Sequence, residues 1–141
     1  MAGTSADFYV QETDGSLNWL GSMEFDGYPY SPEIEPVVTA HTRPDFLQAL
    51  VSLSERISDY TRPEQGYPFG RKSSAETPYT YVLLNEGYVG VYKRGRPAKD
   101  GFPKLKFPDL TPLHQPHVKV ETKAKASVAD AIRAASVEEE E

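Results

Sequence analysis

Apolar and polar positions alternate along residues 7–12 (Asp-Phe-Tyr-Val-Gln-Glu) and 18–25 (Asn-Trp-Leu-Gly-Ser-Met-Glu-Phe), which predicts two β-strands. Thr13-Asp14-Gly15-Ser16 between them carries turn chemistry, so the pair reads as a hairpin. In the second run Trp19, Gly21, Met23 and Phe25 fall on one face and Leu20, Ser22 and Glu24 on the other, as in a sheet with one wetter side. The period then changes. Phe46, Leu50, Leu53, Ile57 and Tyr60 recur at steps of four and three, predicting a helix over about residues 45–60 with one face on the sheet. Thr42 is placed to cap it, Pro44 is tolerated in a first turn, Asp45 suits a helix N-terminus, and Pro63 is the expected stop. A second hairpin follows, 79–84 and 88–92 around Asn85-Glu86-Gly87, where the glycine supplies a left-handed turn residue. The expected body is α+β: a four-stranded antiparallel sheet of two hairpins packed on one helix, ββαββ, over residues 5–92.

Beyond residue 92 the pattern breaks. Prolines at 97, 103, 108, 112 and 116 exclude helix and predict an extended, polyproline-like arm over 93–126, in which Val118-Lys119-Val120 suits an edge strand. Ser127-Val128-Ala129-Asp130 resembles a capping box opening a short helix in the last segment, 127–141, which ends in four glutamates. The chain contains no cysteine, so it has neither a disulfide framework nor a thiolate metal site, consistent with a reducing cytoplasm. The N-terminus has no basic and apolar leader pattern, and no apolar run reaches the roughly 18–20 residues that span a bilayer. A cytoplasmic protein with no membrane partner is the expectation.

Charge is segregated along the chain. Residues 1–92 carry 5 Lys/Arg against 13 Asp/Glu, residues 93–125 carry 9 against 3, and residues 126–141 carry 1 against 5. The net values of −8, +6 and −4 add to the overall −6, so a positive block lies between two negative ones. Its densest part is Lys93-Arg94-Gly95-Arg96-Pro97-Ala98-Lys99. Arg94-Gly95-Arg96-Pro97, with Lys93 before and Lys99 after, resembles the core of the AT-hook of DNA-binding chromatin proteins. The resemblance covers about seven residues. It implies an extended segment in the minor groove of A·T-rich DNA, with Arg94 and Arg96 in the groove, Gly95 at its floor, Pro97 steering the chain out, and Lys93 and Lys99 on phosphates. The physics is general: narrow A·T grooves concentrate negative potential, and glycine permits close backbone approach. The alternative is that 93–96 continue the last strand as charged edge residues that deter aggregation.

The opposite block supports a different expectation. Residues 1–42 contain no lysine or arginine but hold Asp7, Glu12, Asp14, Glu24, Asp26, Glu33 and Glu35. An acidic hairpin of this kind presents carboxylates to a basic protein partner, as a phosphate mimic does, or maintains solubility. Within it, Asp7, Glu12, Asp14, Glu24 and Asp26 are the candidate contact residues. An echo, Gly27-Tyr28-Pro29-Tyr30 and Gly66-Tyr67-Pro68-Phe69, reads as two loops whose rings tuck over sheet edges, or as an aromatic ligand platform. No nucleophile elbow, phosphate-binding glycine loop or dinucleotide fingerprint occurs, and His114 and His117 lie in proline-rich chain. No catalytic residue, metal or cofactor is therefore expected. Ala6-Asp7-Phe8-Tyr9-Val10, Trp19-Leu20-Gly21-Ser22 and Asp26-Gly27-Tyr28-Pro29 together resemble segments of small bacterial accessory and mobile-element proteins, which implies only an accessory role for residues 6–92. The functional expectation is a non-enzymatic interaction protein whose basic arm contacts DNA. Its rivals are a protein-binding inhibitor or adaptor acting through the acidic hairpin, and a virion or assembly component whose arm orders against its neighbours.

Overall fold

The structure, a computed structural model, describes residues 4–110. It is an α+β fold in which a five-stranded mixed sheet carries two helices on one face. The strands are β1 (Ala6–Gln11), β2 (Leu17–Met23), β3 (Tyr79–Leu83), β4 (Val89–Lys93) and β5 (Arg96–Pro97). The helices are α1 (Glu35–Val38) and α2 (Arg43–Arg56). Both expected hairpins form, and Gly87 closes the second with a φ of 95°. The expected wholly antiparallel four-stranded sheet is not what forms. The order is β2-β1-β3-β4-β5, and β1 pairs with β3 in parallel. Residues 24–78 supply the long crossover that a parallel pair requires. The outer side of β2 is meanwhile occupied near Ser22, which exchanges two backbone hydrogen bonds with Thr61.

α2 begins as the pattern predicts. Thr42 is its N-cap, its hydroxyl accepting from the Asp45 N–H at 3.2 Å, and Pro44 lies in the first turn. It ends earlier than Pro63, because Ile57 turns extended, so Ile57 and Tyr60 reach the core from beyond the helix. Phe46, Leu47, Leu50, Val51 and Leu53 pack on Ala6, Phe8, Val10, Tyr81, Leu83 and Val89. Tyr60 stacks on Phe8, its ring centroid 6.0 Å away, and donates to the Leu20 carbonyl. That ring fills the space where a Cβ on Gly21 would lie.

A β-bulge changes which residues of β2 share a face. Phe8 pairs with Gly21 but Tyr9 pairs with Trp19, leaving Leu20 as the extra residue. Leu20 and Met23 therefore join the helix-side core while Trp19 packs on the other side of the sheet. Strict alternation had grouped Trp19 with Met23.

The second face is not wet. Tyr9, Trp19, Val82, Leu84 and Tyr92 form a second core with Tyr67, Phe107 and Leu110, all buried. Its cover is irregular chain, not a second helix layer. Phe107 lies 5.4 Å from Tyr9 and 5.6 Å from Tyr92, centroid to centroid. The Leu110 N–H donates to the Lys72 carbonyl at 2.8 Å, and the Tyr92 hydroxyl donates to the Pro103 carbonyl. Residues 93–110, expected to begin a separate arm, thus belong to the body. Their prolines exclude helix but do not prevent burial of the aromatic and leucine side chains between them. The rest of the expected arm and the tail helix lie outside the described residues.

Candidate functional site

The basic cluster is a tight turn. Lys93 pairs with Arg96 and Tyr92 with Pro97, and the two linking residues, Arg94 and Gly95, have φ values of 50° and 82°. Two successive left-handed residues are what a two-residue hairpin needs, and Arg-Gly supplies the glycine at the second. Pro97 is tolerated because β5 is the outer strand and its missing N–H faces away from β4. The turn is seated on the neighbouring loop: the Arg94 N–H donates to the Thr77 carbonyl and its guanidinium to the Glu76 carbonyl. A Cβ on Gly95 would stand 2.9 Å from the Ala75 Cα. Gly95→Ala should therefore destabilise the fold by about 2 kcal/mol, left-handed strain plus the collision, as read from urea unfolding. The side chains of Lys93, Arg96 and Lys99 project from this edge and reach no carboxylate within ion-pairing distance among the described residues.

The acidic candidates do not form one surface. Asp7 is fully buried on the second face of β1, inside a cage of hydroxyls. Ser22, Tyr67, Ser74 and Thr77 donate to its carboxylate at 2.6, 2.9, 2.5 and 2.7 Å. Glu12 pairs with Arg43 at 3.2 Å beside the hairpin tip. Asp14, at the tip itself, accepts from the Ser16 N–H and hydroxyl, which lowers its pKa below the usual range. Glu24 and Asp26 lie at the other end of β2. A cleft of about 330 Å³ between the first turn and the start of α2 is lined by Gln11, Thr13, His41, Thr42, Arg43 and Asn85. Several of its polar groups bond to each other, Asn85 to Gln11 and to the Glu12 carbonyl, so it reads as a joint between elements.

What does come together is an aromatic and acidic loop over residues 24–33. Phe25 and Tyr30 are the large hydrophobic side chains left exposed among the described residues, at 50% and 81%. Tyr30 stacks on Tyr28, centroids 4.6 Å apart and planes within 28°. Glu24 and Asp26 are exposed alongside, and Asp26 accepts from the Tyr28 hydroxyl at 3.3 Å. The Asp26 carboxylate is the main reason the Tyr28 pKa is raised, with Glu33 adding to it.

The first half of the loop is tied to the body. Asp59 accepts from the N–H groups of both Glu24 and Phe25 at 2.8 Å. Gly27 donates to the Thr4 carbonyl, and its own carbonyl accepts from the buried Tyr81 hydroxyl. No larger residue fits there, since a Cβ on Gly27 would come within 2.7 Å of the Ala6 Cβ. The repeated Gly-Tyr-Pro-aromatic motif thus has two fates. Tyr67 and Phe69 pack into the second core, Trp19 edge-on to Tyr67 at 5.6 Å, whereas Tyr30 stands outside. The acidic surroundings of the first copy were the signal that separates them.

Among the described residues no group of three His, Asp or Glu is arranged to hold a metal, and no helix is long and apolar enough to cross a membrane. Comparison with protein-family models, with curated proteins and with solved structures returned no match.

Proposed function

We propose that this protein is an interaction module that docks a basic protein surface on the loop 24–33. The observation that carries this reading is the stack of exposed Tyr30 on half-buried Tyr28, in the same loop as exposed Phe25 and the carboxylates of Glu24, Asp26 and Glu33. Aromatic faces attract lysine and arginine side chains, and neighbouring carboxylates add charge-assisted hydrogen bonds. A loop already fixed by Asp59 and Gly27 loses little freedom on binding, so more of the contact energy appears as affinity. Tyrosine is also the residue type enriched among binding hot spots.

The test is selection from a random peptide display library on the full chain. Peptides rich in arginine or lysine should be enriched, and Tyr30→Ala should weaken their binding by about 2 kcal/mol, roughly thirtyfold. Equal enrichment by the variant would remove the loop from the function.

A second reading rests on the uncompensated charges of Lys93, Arg96 and Lys99. These groups suit DNA phosphates even though the backbone between them is a tight turn and not an extended groove-binding segment. An A·T-rich duplex serves as its probe. Three phosphate contacts would give a log–log salt slope of about −2.7.

A further inference from the structure

We infer that the basic surface docked by the loop 24–33 is the Lys93–Arg96 turn of a second copy of this chain, in a two-fold symmetric dimer. This rests on the reading of that loop as a docking site and names its occupant. The argument starts from sheet register. Met23 lies opposite Ala6, and Ala6 beside Tyr79. Thr80 faces Tyr92, so the next residues outward are Tyr79 and Lys93, and the Lys93 ammonium stands 6.0 Å from the Tyr79 ring centroid. Lys93 in turn faces Arg96. The row Met23, Ala6, Tyr79, Lys93, Arg96 thus crosses one end of the sheet in four interstrand steps, about 19 Å. The acidic loop leaves the sheet from the first member of that row, and the basic turn from the last two.

Two clusters of opposite sign therefore flank one end of the molecule, too far apart to neutralise each other directly. Lys93 and Arg96 reach no carboxylate, and Glu24, Asp26 and Glu33 reach no lysine or arginine, within ion-pairing distance among the described residues. A two-fold axis through the midpoint of that end sets each loop on the partner's turn. One interface then satisfies both clusters twice. This is the isologous arrangement most common among soluble oligomers. Phe25 and Tyr30, left in water by the single chain, become the apolar centre of each contact, with Tyr30 facing arginine.

Complementary charge swaps test this directly. Lys93→Glu/Arg96→Glu makes both clusters acidic, and Glu24→Lys/Glu33→Lys makes both basic. These choices leave unchanged Arg94 and Asp26, the two non-glycine residues with positive φ among the described residues. In sedimentation equilibrium at low salt the full chain should weigh twice its 15.7 kDa, with a dissociation constant that rises about tenfold in high salt. Each double variant alone should remain at the mass of one chain. An equimolar mixture of the two should recover the doubled mass, which also demonstrates that both are folded.

A wild-type chain that stays at single mass overturns the inference, whether the loop is empty or covered by residues 111–141 of its own chain. Variants that dimerise alone, or a mixture that does not, overturn it equally. If the chain is monomeric but its loop still selects basic peptides through Tyr30, the docking loop stands and only the self-pairing falls. If neither occurs, both fall.

Discussion

Asp7→Ala is expected to destabilise the fold by about 4–5 kcal/mol, a large part of the roughly 5–15 kcal/mol that holds a domain of this size together. The reason lies in the direction of the hydrogen bonds around it. Trp19 Nε1 donates to Ser22, and Ser22 to Asp7. The Arg71 Nε donates to Thr77, and Thr77 to Asp7. The Tyr9 hydroxyl bonds to Ser74 at 2.7 Å, Ser74 donates to Asp7, and Tyr67 donates to it directly. Each hydroxyl has one hydrogen to give, and these paths end on one acceptor-only carboxylate. Removing it takes the shared acceptor from four buried hydroxyls; Tyr67 and Thr77, 3.1 Å apart, and Ser74 and Tyr9 can re-pair with each other, but not every donor finds a new acceptor. Asp7→Asn keeps the shape and one acceptor oxygen but turns an NH₂ toward groups that are themselves donating, so a loss of about 2–3 kcal/mol is expected. Ser22→Ala, at the edge of the cage, should lose only about 1 kcal/mol. Urea unfolding midpoints at constant slope measure all three. If Asp7→Ala lies within 1 kcal/mol of the native chain, the cage is not what locks the second face to β1.

Asp7 also marks where sequence reasoning reaches its limit. As one of seven acids in a stretch without lysine or arginine, it reads as surface charge. Its neighbours Ala6, Phe8, Tyr9 and Val10 were the contrary signal, because an apolar run on both sides of a strand indicates burial of both faces. What local pattern governs was legible: the Thr42 cap, the Phe46-Leu50-Leu53 stripe and the Gly87 turn all form. What depends on distant partners was not. The parallel pairing of β1 with β3 and the bulge at Leu20 each require knowing which segment lies alongside. The same holds for the cover that Tyr67, Phe107 and Leu110 provide. Arg94-Gly95 illustrates the difference. Its residues match a nucleic-acid motif, yet the strand before it and the partner after it convert the same dipeptide into a hairpin turn. For the candidate site, the acidic character of residues 24–33 was readable. The clamps from Asp59 and Tyr81 on its first half were not, since they come from 34 and 54 residues away.

Alkali should unfold this protein in one cooperative step, and the buried tyrosines determine where. Burial raises the pKa of Tyr9, Tyr60, Tyr67 and Tyr81 well above the ordinary phenol value and that of Tyr92 to about 12. The Asp7 carboxylate adds to the effect at Tyr9, Tyr60 and Tyr67. Below about pH 10 both the folded and the unfolded chain hold these protons, so stability is unaffected. Above it the unfolded chain releases them while the folded chain retains them, and stability falls as pH rises. Each such phenol removes about 1.4 kcal/mol per pH unit, so Tyr9, Tyr67 and Tyr81, which have no exposed surface, together remove about 4 kcal/mol per unit. Against a stability of about 5–15 kcal/mol this places unfolding between about pH 11 and 14. Phenolate absorbance and far-ultraviolet circular dichroism, followed together, should change at the same pH, the buried tyrosines ionising only as the sheet is lost. Tyr81→Phe should make the transition shallower by one proton while also removing the hydroxyl that holds the Gly27 carbonyl. Its alkaline slope therefore reports the burial, and its peptide binding reports whether that hydroxyl keeps the aromatic loop in place. Buried phenols that ionise near pH 10 with the dichroism intact would mean that water reaches both cores.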